Sequence, residues 1–411
     1  MSNIQYYYQS GLRKIYPYYH TRTAFVKGRW HNRTVLDVLV KEFRAHSAEY
    51  YGHQIVNGKY KLIRDGQYLD NLSVLDTPIK NNDKLESTVH KHEPPVLQWC
   101  SNEANIPGKK IAGIDIVYED ENLLVINKPC GIPIHPTGLY YGNTLTEILK
   151  VNGVHALPAY RLDKVTSGLL ILSKDTGTAS MVQKKIRSHE MQKWYLARVE
   201  GAFPHVNEVP HIETLEIQRL DLPIEEQIIQ DNSILTIEDS DVYTVEPKKQ
   251  YPSGLSVPRS AKTIFYPIKY FPHKNESIVA CRPITGRTHQ IRIHLARLNH
   301  PIVNDTIYSQ KITRYPERLN FIRSIANWSE AKLTDEELSE TFQIFIQESE
   351  HFKKKALAEN KNCPVCSECG ALTLSDPDPE DLSIDLHAWR YSDAEKTLNF
   401  KTELPQWVVN E

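Results

Sequence analysis

Long hydrophobic runs are missing from this 411-residue chain. No uncharged apolar stretch approaches the roughly 20 residues that span a bilayer, so neither a transmembrane helix nor a membrane partner is expected. Cysteine is scarce. Six residues are too few for a disulfide scaffold at this length, and Cys100, Cys130 and Cys281 are scattered, which fits a reducing compartment. No excess of one charge exists: 49 Lys+Arg face 51 Asp+Glu, a formal net charge of −2. That excludes a globally basic nucleic-acid binder and leaves room for a locally basic face. No glycine motif of the kind that cradles phosphate or a dinucleotide occurs. The N-terminus lacks the apolar stretch of a secretory signal. It also lacks any acid before Asp37, while Arg13, Lys14, Arg22, Lys27, Arg29 and Arg33 precede that position. We read this as a basic surface on a cytoplasmic protein, with mitochondrial targeting as the second reading.

What is present is a composition that folds. Apolar residues make up 40% and charged residues 24%, enough for a packed core, and the length allows two to four domains. Residues 1–60 hold nine Lys/Arg against three Asp/Glu, and nine of the 22 tyrosines. Basic side chains among aromatic ones suit single-stranded or looped RNA, where cations meet phosphates and rings stack on bases. Lys27, Arg29, Arg33 and Lys59 are the candidate RNA contacts; the bland reading makes the tyrosines core and hairpin residues.

Within this region Thr34–Phe43 reads as a helix, with Thr34 as N-cap and Val35, Leu36, Leu39, Val40 and Phe43 on its apolar side. Residues 54–62 read as a hairpin turning at Asn57-Gly58, and a second hairpin is expected at Asp65-Gly66. His90 to Val96 looks like a linker, and we read His90 and His92 as surface residues. Residues 96–310 are rich in strand patterns: 114–120, 122–127, 168–173, 195–200 and 277–283. Helices are expected at 178–188 and 287–298. Their irregular order favours α+β over a doubly wound sheet. Residues 311–382 behave as an insertion with a helix opening at Thr334-Asp335-Glu336-Glu337 and a cysteine-rich loop. The expected division is therefore 1–95, 96–310 joined by 383–411, and the insertion 311–382.

Three segments could carry chemistry. Tyr160-Arg161-Leu162-Asp163-Lys164-Val165-Thr166-Ser167-Gly168 puts a carboxylate at the mouth of a buried strand. Lys193-Trp194-Tyr195 is the second. Arg282-Pro283-Ile284-Thr285-Gly286-Arg287-Thr288-His289-Gln290-Ile291-Arg292-Ile293-His294 is the third. Taken alone, Asp163 is more often a cap or a surface ion pair, and Arg292 an ordinary helix-surface base. His289 and His294 are five apart, which does not put two ligands on one helical face.

Together the three segments resemble the RluA-type pseudouridine synthase family; residues 27–60 and the linker His92-Glu93-Pro94-Pro95-Val96 look like its eukaryotic, fungal tRNA branch. The resemblance maps Asp163 to the family's catalytic aspartate, Tyr195 to its active-site tyrosine and Arg292 to the arginine that pairs with the aspartate. Arg161, Thr166, Ser167, Lys193, Arg287 and His289 are then expected around the substrate. Two flanks also match: Asn127-Lys128-Pro129 with Gly131 to Pro136, and His300-Pro301-Ile302 with Asp305. The likeness is collinear over about 113–310 and resumes at Leu386-His387-Ala388. The family usually has His where Tyr160 stands, and often glycine where Asn299, Asn304 and Ser309 stand. The N-terminal module is similar to the alpha-L RNA-binding domain that many members carry.

The resemblance implies a central mixed, largely antiparallel sheet with flanking helices plus this small module. It implies an Asp-dependent isomerisation of uridine to pseudouridine in tRNA near anticodon-stem positions 31–32, by a monomer with no cofactor and no obligate protein partner. Two rivals stand beside it. One is a non-catalytic RNA-binding protein on the same fold. The other is a zinc nucleobase deaminase using His211-Ile212-Glu213 with Cys363 and Cys366, although its proline does not precede the first cysteine. Cys363, Cys366 and Cys369 stand at C-x2-C-x2-C. Three thiolates need a fourth ligand to close a structural zinc site; His387 is one option, and an unmetallated loop is the alternative.

Overall fold

The computed structural model describes residues 4–43, 47–101, 103–204, 235–239, 261–324, 335–359, 365–371, 373 and 375–409. The chain forms two compact units. One comprises Met1–Tyr7, Ile15–Glu93 and Pro364–Thr373; the other comprises Tyr8–Lys14, Pro94–Cys363 and Leu374–Glu411. The segment 311–382 does not stand apart as a third unit: its cysteine loop groups with the N-terminal residues and the remainder with the larger unit.

The smaller unit contains β1 (Tyr18–Phe25), α1 (Val35–Val38), α2 (Ala48–Val56), β2 (Tyr60–Arg64), β3 (Gln67–Tyr68) and β4 (Lys84–Lys91). The strands form an antiparallel sheet in the order β1-β4-β2-β3. Thr34 caps α1 by accepting the Asp37 N–H at 3.2 Å, and a π-turn over Leu39–Phe43 continues it. Val35, Val38, Leu39, Tyr51, Ile55, Leu62 and Leu85 share one core. The hairpin expected at 54–62 is absent, because residues 54–56 finish α2. Tyr51 and Ile55, four apart and both buried, impose the helical period over the Asn-Gly turn signal. Asn57-Gly58 instead terminates the helix: Gly58 has φ +67°, its N–H reaches Ile55 O at 2.9 Å, and Lys59 N–H reaches Gln54 O at 2.9 Å. The Asp65-Gly66 hairpin is formed, with both residues at positive φ.

The larger unit is built on one mixed sheet, as expected for the α+β reading. Its main strands are β5 (Ile114–Glu119), β6 (Leu123–Lys128), β7 (Ser167–Ser173), β8 (Met191–Glu200), β9 (Leu235–Asp239), β10 (Ala261–Phe271), β11 (Glu276–Pro283) and β12 (Leu386–Asp393). They lie in the order β9-β10-β11-β8-β12-β7-β6-β5. Every neighbouring pair among these eight is antiparallel except β7 with β12. Helices α3 (Leu145–Val151), α4 (Thr176–Arg187), α5 (Gln290–Arg297), α6 (Pro316–Ser324) and α7 (Asp335–Glu359) flank it. Strand β7 carries the continuous run Leu169-Leu170-Ile171-Leu172 and is buried on both faces. On β8 the alternation is kept. Trp194 and Leu196 join Trp389 and Ala280 on one side, while Tyr195, Ala197 and Val199 pack on the other. Among the described residues no helix is long and apolar enough to cross a membrane.

The parallel junction joins the two halves of the sheet, pairing Ser167 with His387 and Gly168 with Ala388. Two residues make it possible. Gly168 sits at φ +110°, and a Cβ there would lie 2.2 Å from Ala388 O and 2.5 Å from Ala388 N. His387 is buried between Ser167 Oγ, 2.9 Å from Nδ1, and Thr402 Oγ1, 2.7 Å from Nε2. Burial pushes its imidazole down to about 4.

Gly168→Ala is expected to cost about 3 kcal/mol or more, since backbone rather than a side chain must move. Urea unfolding would measure it, and a loss under about 1 kcal/mol would show that the close approach does not constrain the junction. His387 also predicts an acid limb. Its folded pKa lies below the unfolded value, so the unfolded state binds the extra proton as pH falls from about 6.5 to about 4. Stability should drop by about 3 kcal/mol from this group over that window and level off below it. His387→Gln should flatten the limb; an unchanged profile contradicts the assignment.

Candidate active site

Asp163 stands on the turn that feeds β7. Thr166 N–H closes the turn onto Asp163 O at 3.2 Å. Beneath it lies Lys128, the last residue of β6 and fully buried. Its Nζ donates to Thr166 O and Pro129 O, each at 2.9 Å, and to Lys164 O at 3.3 Å. Burial pushes its ammonium down to about 7. A lysine in this place satisfies backbone carbonyls that the sharp turn leaves without a ladder partner. It thereby fixes the direction in which Asp163 leaves the main chain.

Arg292 comes from α5, a short helix buried on nearly every side. Ile291 and Leu295 pack into one core cluster, Ile293 and Ala296 into another. The guanidinium is divided between two acids. Nε and Nη2 fork onto Asp305 at 2.7 and 2.9 Å, and Nη1 reaches Asp163 Oδ2 at 3.3 Å. Asp305 is fully buried, and its Oδ1 also accepts the N–H groups of Ile307 and Tyr308. Burial alone would raise its pKa; the Arg292 charge and these hydrogen bonds overcome that and hold it below the usual carboxylate value. Arg292 answers with an upward shift: its burial opposes the charge, and Asp305 and Asp163 more than compensate.

His289 is the second neighbour of Asp163. It precedes α5 in a left-handed conformation at φ +56°, with Nε2 3.6 Å from Asp163 Oδ2 and Nδ1 2.9 Å from the Tyr308 hydroxyl. The loop that carries it is fastened by Gln290. This side chain accepts from Thr285 Oγ1 and Arg287 N–H and donates to Thr263 Oγ1 and Lys262 O. Both side-chain contacts to Asp163 fall on Oδ2, so Oδ1 makes none among the described residues.

Tyr195 lies across the cleft. Its hydroxyl is 2.5 Å from that of Tyr391, whose ring lies 5.1 Å from that of Tyr160. Burial chiefly, with the Asp163 charge adding to it, pushes the Tyr195 phenol up to about 12 despite the Tyr391 hydrogen bond. It is neutral at pH 7.

A cleft of about 440 Å³ brings these residues together, within the range of about 300–1,000 Å³ for small-ligand sites. Asp163, Tyr195 and Arg292 all line it, with Arg161, Thr166, Lys193, Arg287 and His289. Burial lowers the Lys193 pKa. The Thr166 hydroxyl is buried without a hydrogen-bond partner among the described residues. Ser167 is the exception: it is not part of the lining, and its hydroxyl is spent on His387. Tyr391 and Tyr308 have no sequence signal, and Lys128 appears there only within the matching flank Asn127-Lys128-Pro129. Each is defined by long-range burial.

The candidate RNA contacts lie in the smaller unit and divide. Arg29 and Arg33 are engaged with acids on α1 and its continuation: Arg29 Nη2 with Glu42 at 2.8 Å, and Arg33 with Asp37 and Glu42 at 2.6 and 2.8 Å. Part of their charge is balanced locally by these acids. Lys27 stands 5.5 Å from the Trp30 ring centre and Lys59 4.2 Å from that of Tyr19. The register puts Tyr19, Phe25 and Tyr68 on one face of the sheet, opposite the face of Leu62 and Leu85. All three rings are exposed, and Lys59, Lys84 and Lys61 lie against them. Lysines over exposed rings combine charge with stacking surface. His211, Glu213 and Cys363 lie outside the described residues, and His387 has both ring nitrogens committed elsewhere, so it is not the fourth ligand of the cysteine loop.

Comparison with known proteins agrees with this geometry. The sequence pattern described as RNA pseudouridylate synthase matches residues 122–297, which contain Asp163, Tyr195 and Arg292. The chain is 51% identical to the tRNA pseudouridine(31) synthase of Saccharomyces cerevisiae, over 98% of this chain and 97% of that one. It is 34% identical to the mitochondrial tRNA pseudouridine(32) synthase of the same yeast, covering 97% and 77%. It is 30% identical to human pseudouridylate synthase RPUSD2, covering 99% and 75%. With a carboxylate held by a buried arginine on the matched motifs, and likeness across nearly the whole length, the chain belongs to the RluA-type pseudouridine synthase family.

Proposed function

We propose that this protein isomerises one uridine in the anticodon stem of tRNA, position 31, to pseudouridine. The observation that carries the reading is the Asp163–Arg292 contact inside a cleft that also holds Tyr195. The relative sharing 51% of its residues is named for position 31, which supports that position over 32. A base inside a stem must leave the stack, at a cost of a few kcal/mol. The ring of Tyr195 offers a platform for the extruded uracil. Asp163 acts on the nucleotide through the oxygen that Arg292 leaves open, as nucleophile or as base at C2′. The C1′–N1 bond breaks, the uracil turns, and a C1′–C5 bond forms. The proton lost from C5 is balanced by one gained at N1, so no redox cofactor or group donor is called for. The exposed lysines and rings of the smaller unit hold the rest of the tRNA. The protein acts as a monomer, and cytoplasmic and mitochondrial tRNA are both substrates to be tried.

Purified protein on tRNA transcripts should yield an alkali-resistant carbodiimide adduct at position 31 and none at 32. Tritium release from 5-labelled uridine separates catalysis from mere binding. A mark absent from the anticodon stem, or binding without release, would overturn the reading. Asp163→Asn should lower turnover by at least about a thousandfold, close to 4 kcal/mol of barrier, with tRNA affinity within about twofold of wild type. Substantial residual turnover removes Asp163 from the chemistry.

The buried fork gives a second test. Arg292→Lys and Asp305→Asn each leave a buried charge badly paired and should destabilise the protein by about 3 kcal/mol. Both should also slow turnover more than tenfold at a temperature where the variant is still folded. Full activity in folded Asp305→Asn protein would show that Asp305 does not position Arg292.

A further inference from the structure

Four potential metal ligands meet in the smaller unit, away from the catalytic residues in sequence and in role. His90 lies in β4 and His92 just beyond its end. Two residues apart on an extended chain, they share a face. Cys366 and Cys369 come from a tight turn in which Gly370 N–H returns to Cys366 O at 2.9 Å and Gly370 has φ +70°. Both cysteines are free thiols. The ligating atoms of all four residues lie within 4.8 Å of one another.

We propose that His90, His92, Cys366 and Cys369 form a tetrahedral zinc site. The chemistry of the donor set is that of structural zinc: two thiolates, two imidazoles, and no open position. The spacing agrees as well. With Zn–S near 2.3 Å and Zn–N near 2.0–2.1 Å, the sulfur–nitrogen edge of a tetrahedron is about 3.6 Å. Cys366 Sγ is 3.6 Å from His90 Nδ1, and Cys369 Sγ is 3.2 Å from His92 Nε2. The surroundings are those of a ligand set. The Glu368 carboxylate lies 3.9 Å from the other nitrogen of His90. Backbone N–H groups of Glu368 and Cys369 point at the Cys366 sulfur, and that of Ala371 at the Cys369 sulfur. Tyr19 packs against His90, ring centres 4.8 Å apart, and carries Lys59 on it. The ion would therefore pin the loop Pro364–Thr373 to the end of the lysine-and-ring face, which explains why this late segment groups with the N-terminal residues.

The test uses full-length protein, untagged, reduced and dialysed against zinc and then against buffer. About one zinc per chain is expected in the wild type and in Cys363→Ser, and under about a tenth in Cys366→Ser, Cys369→Ser and the His90→Ala/His92→Ala pair. A wild type at the variant level overturns the site, and so does zinc lost equally from Cys363→Ser. Because a ligand variant can misfold, cobalt is also put into the wild type. Intense visible bands of tetrahedral cobalt with thiolate charge transfer, bleached by added zinc, are expected. A pale octahedral spectrum overturns the proposal.

Discussion

The buried fork between Arg292 and Asp305 is the constraint from which the rest of the site follows. A guanidinium enclosed by α5 and its neighbours loses its water, and only a fully ionised partner with its own lone pairs satisfied offsets that loss. Asp305 meets the condition because two backbone N–H groups and two guanidinium nitrogens converge on it. The fork uses one edge of the planar group. The remaining nitrogen has one direction left, and Asp163 is at its end. A lysine in place of Arg292 would supply charge without that geometry.

The same constraint explains the architecture around it. Asp163 belongs to the half of the sheet that contains β5, β6 and β7; Arg292 and Tyr195 belong to the half built on β8, β10 and β11. The halves meet at a short parallel pairing that only a glycine at 168 permits. An error of an ångström at this junction passes directly to the Asp163–Arg292 distance, and reactions that depend on orientation tolerate little of it. Polar groups are accordingly spent on holding the junction: Lys128 on the turn carbonyls, His387 on Ser167 and Thr402, Tyr160 on Leu169 O and Ile171 N–H.

What could be read from the sequence was whatever is local or carried by a motif. The strand pairs, the cap at Thr34, the Asp65-Gly66 hairpin and the three candidate site residues Asp163, Tyr195 and Arg292 have signals within a dozen positions. Asn299 and Asn304 stand where the family often has glycine, and both adopt positive φ, the backbone role asparagine can share with glycine. The failures are all long-range. Asn57-Gly58 carries a hairpin signal, but burial of Tyr51 and Ile55 decides for a helix. Arg29 and Arg33 read as RNA contacts, and the sequence does not announce that Glu42 folds back onto them. Ser167 sits in the motif yet turns to a histidine 220 positions away. His90 and His92 look like linker residues because Cys366 and Cys369 lie more than 270 positions on.

The tyrosines carry the argument one step further. The family usually has histidine where this chain has Tyr160, and that position belongs to a buried cluster with Tyr391 and Tyr195. Phenols packed together away from water resist ionisation, and Tyr195 is displaced to about 12. At pH 7 its phenolate fraction is then about one in 10⁵, too far from the working pH for an efficient general base. A neutral phenol here suits the platform role proposed for the Tyr195 ring. The role proposed for Tyr195 then assigns the C5 proton to another group. Asp163, with one oxygen held by Arg292 and the other open among the described residues, is a carboxylate with a free edge at the cleft.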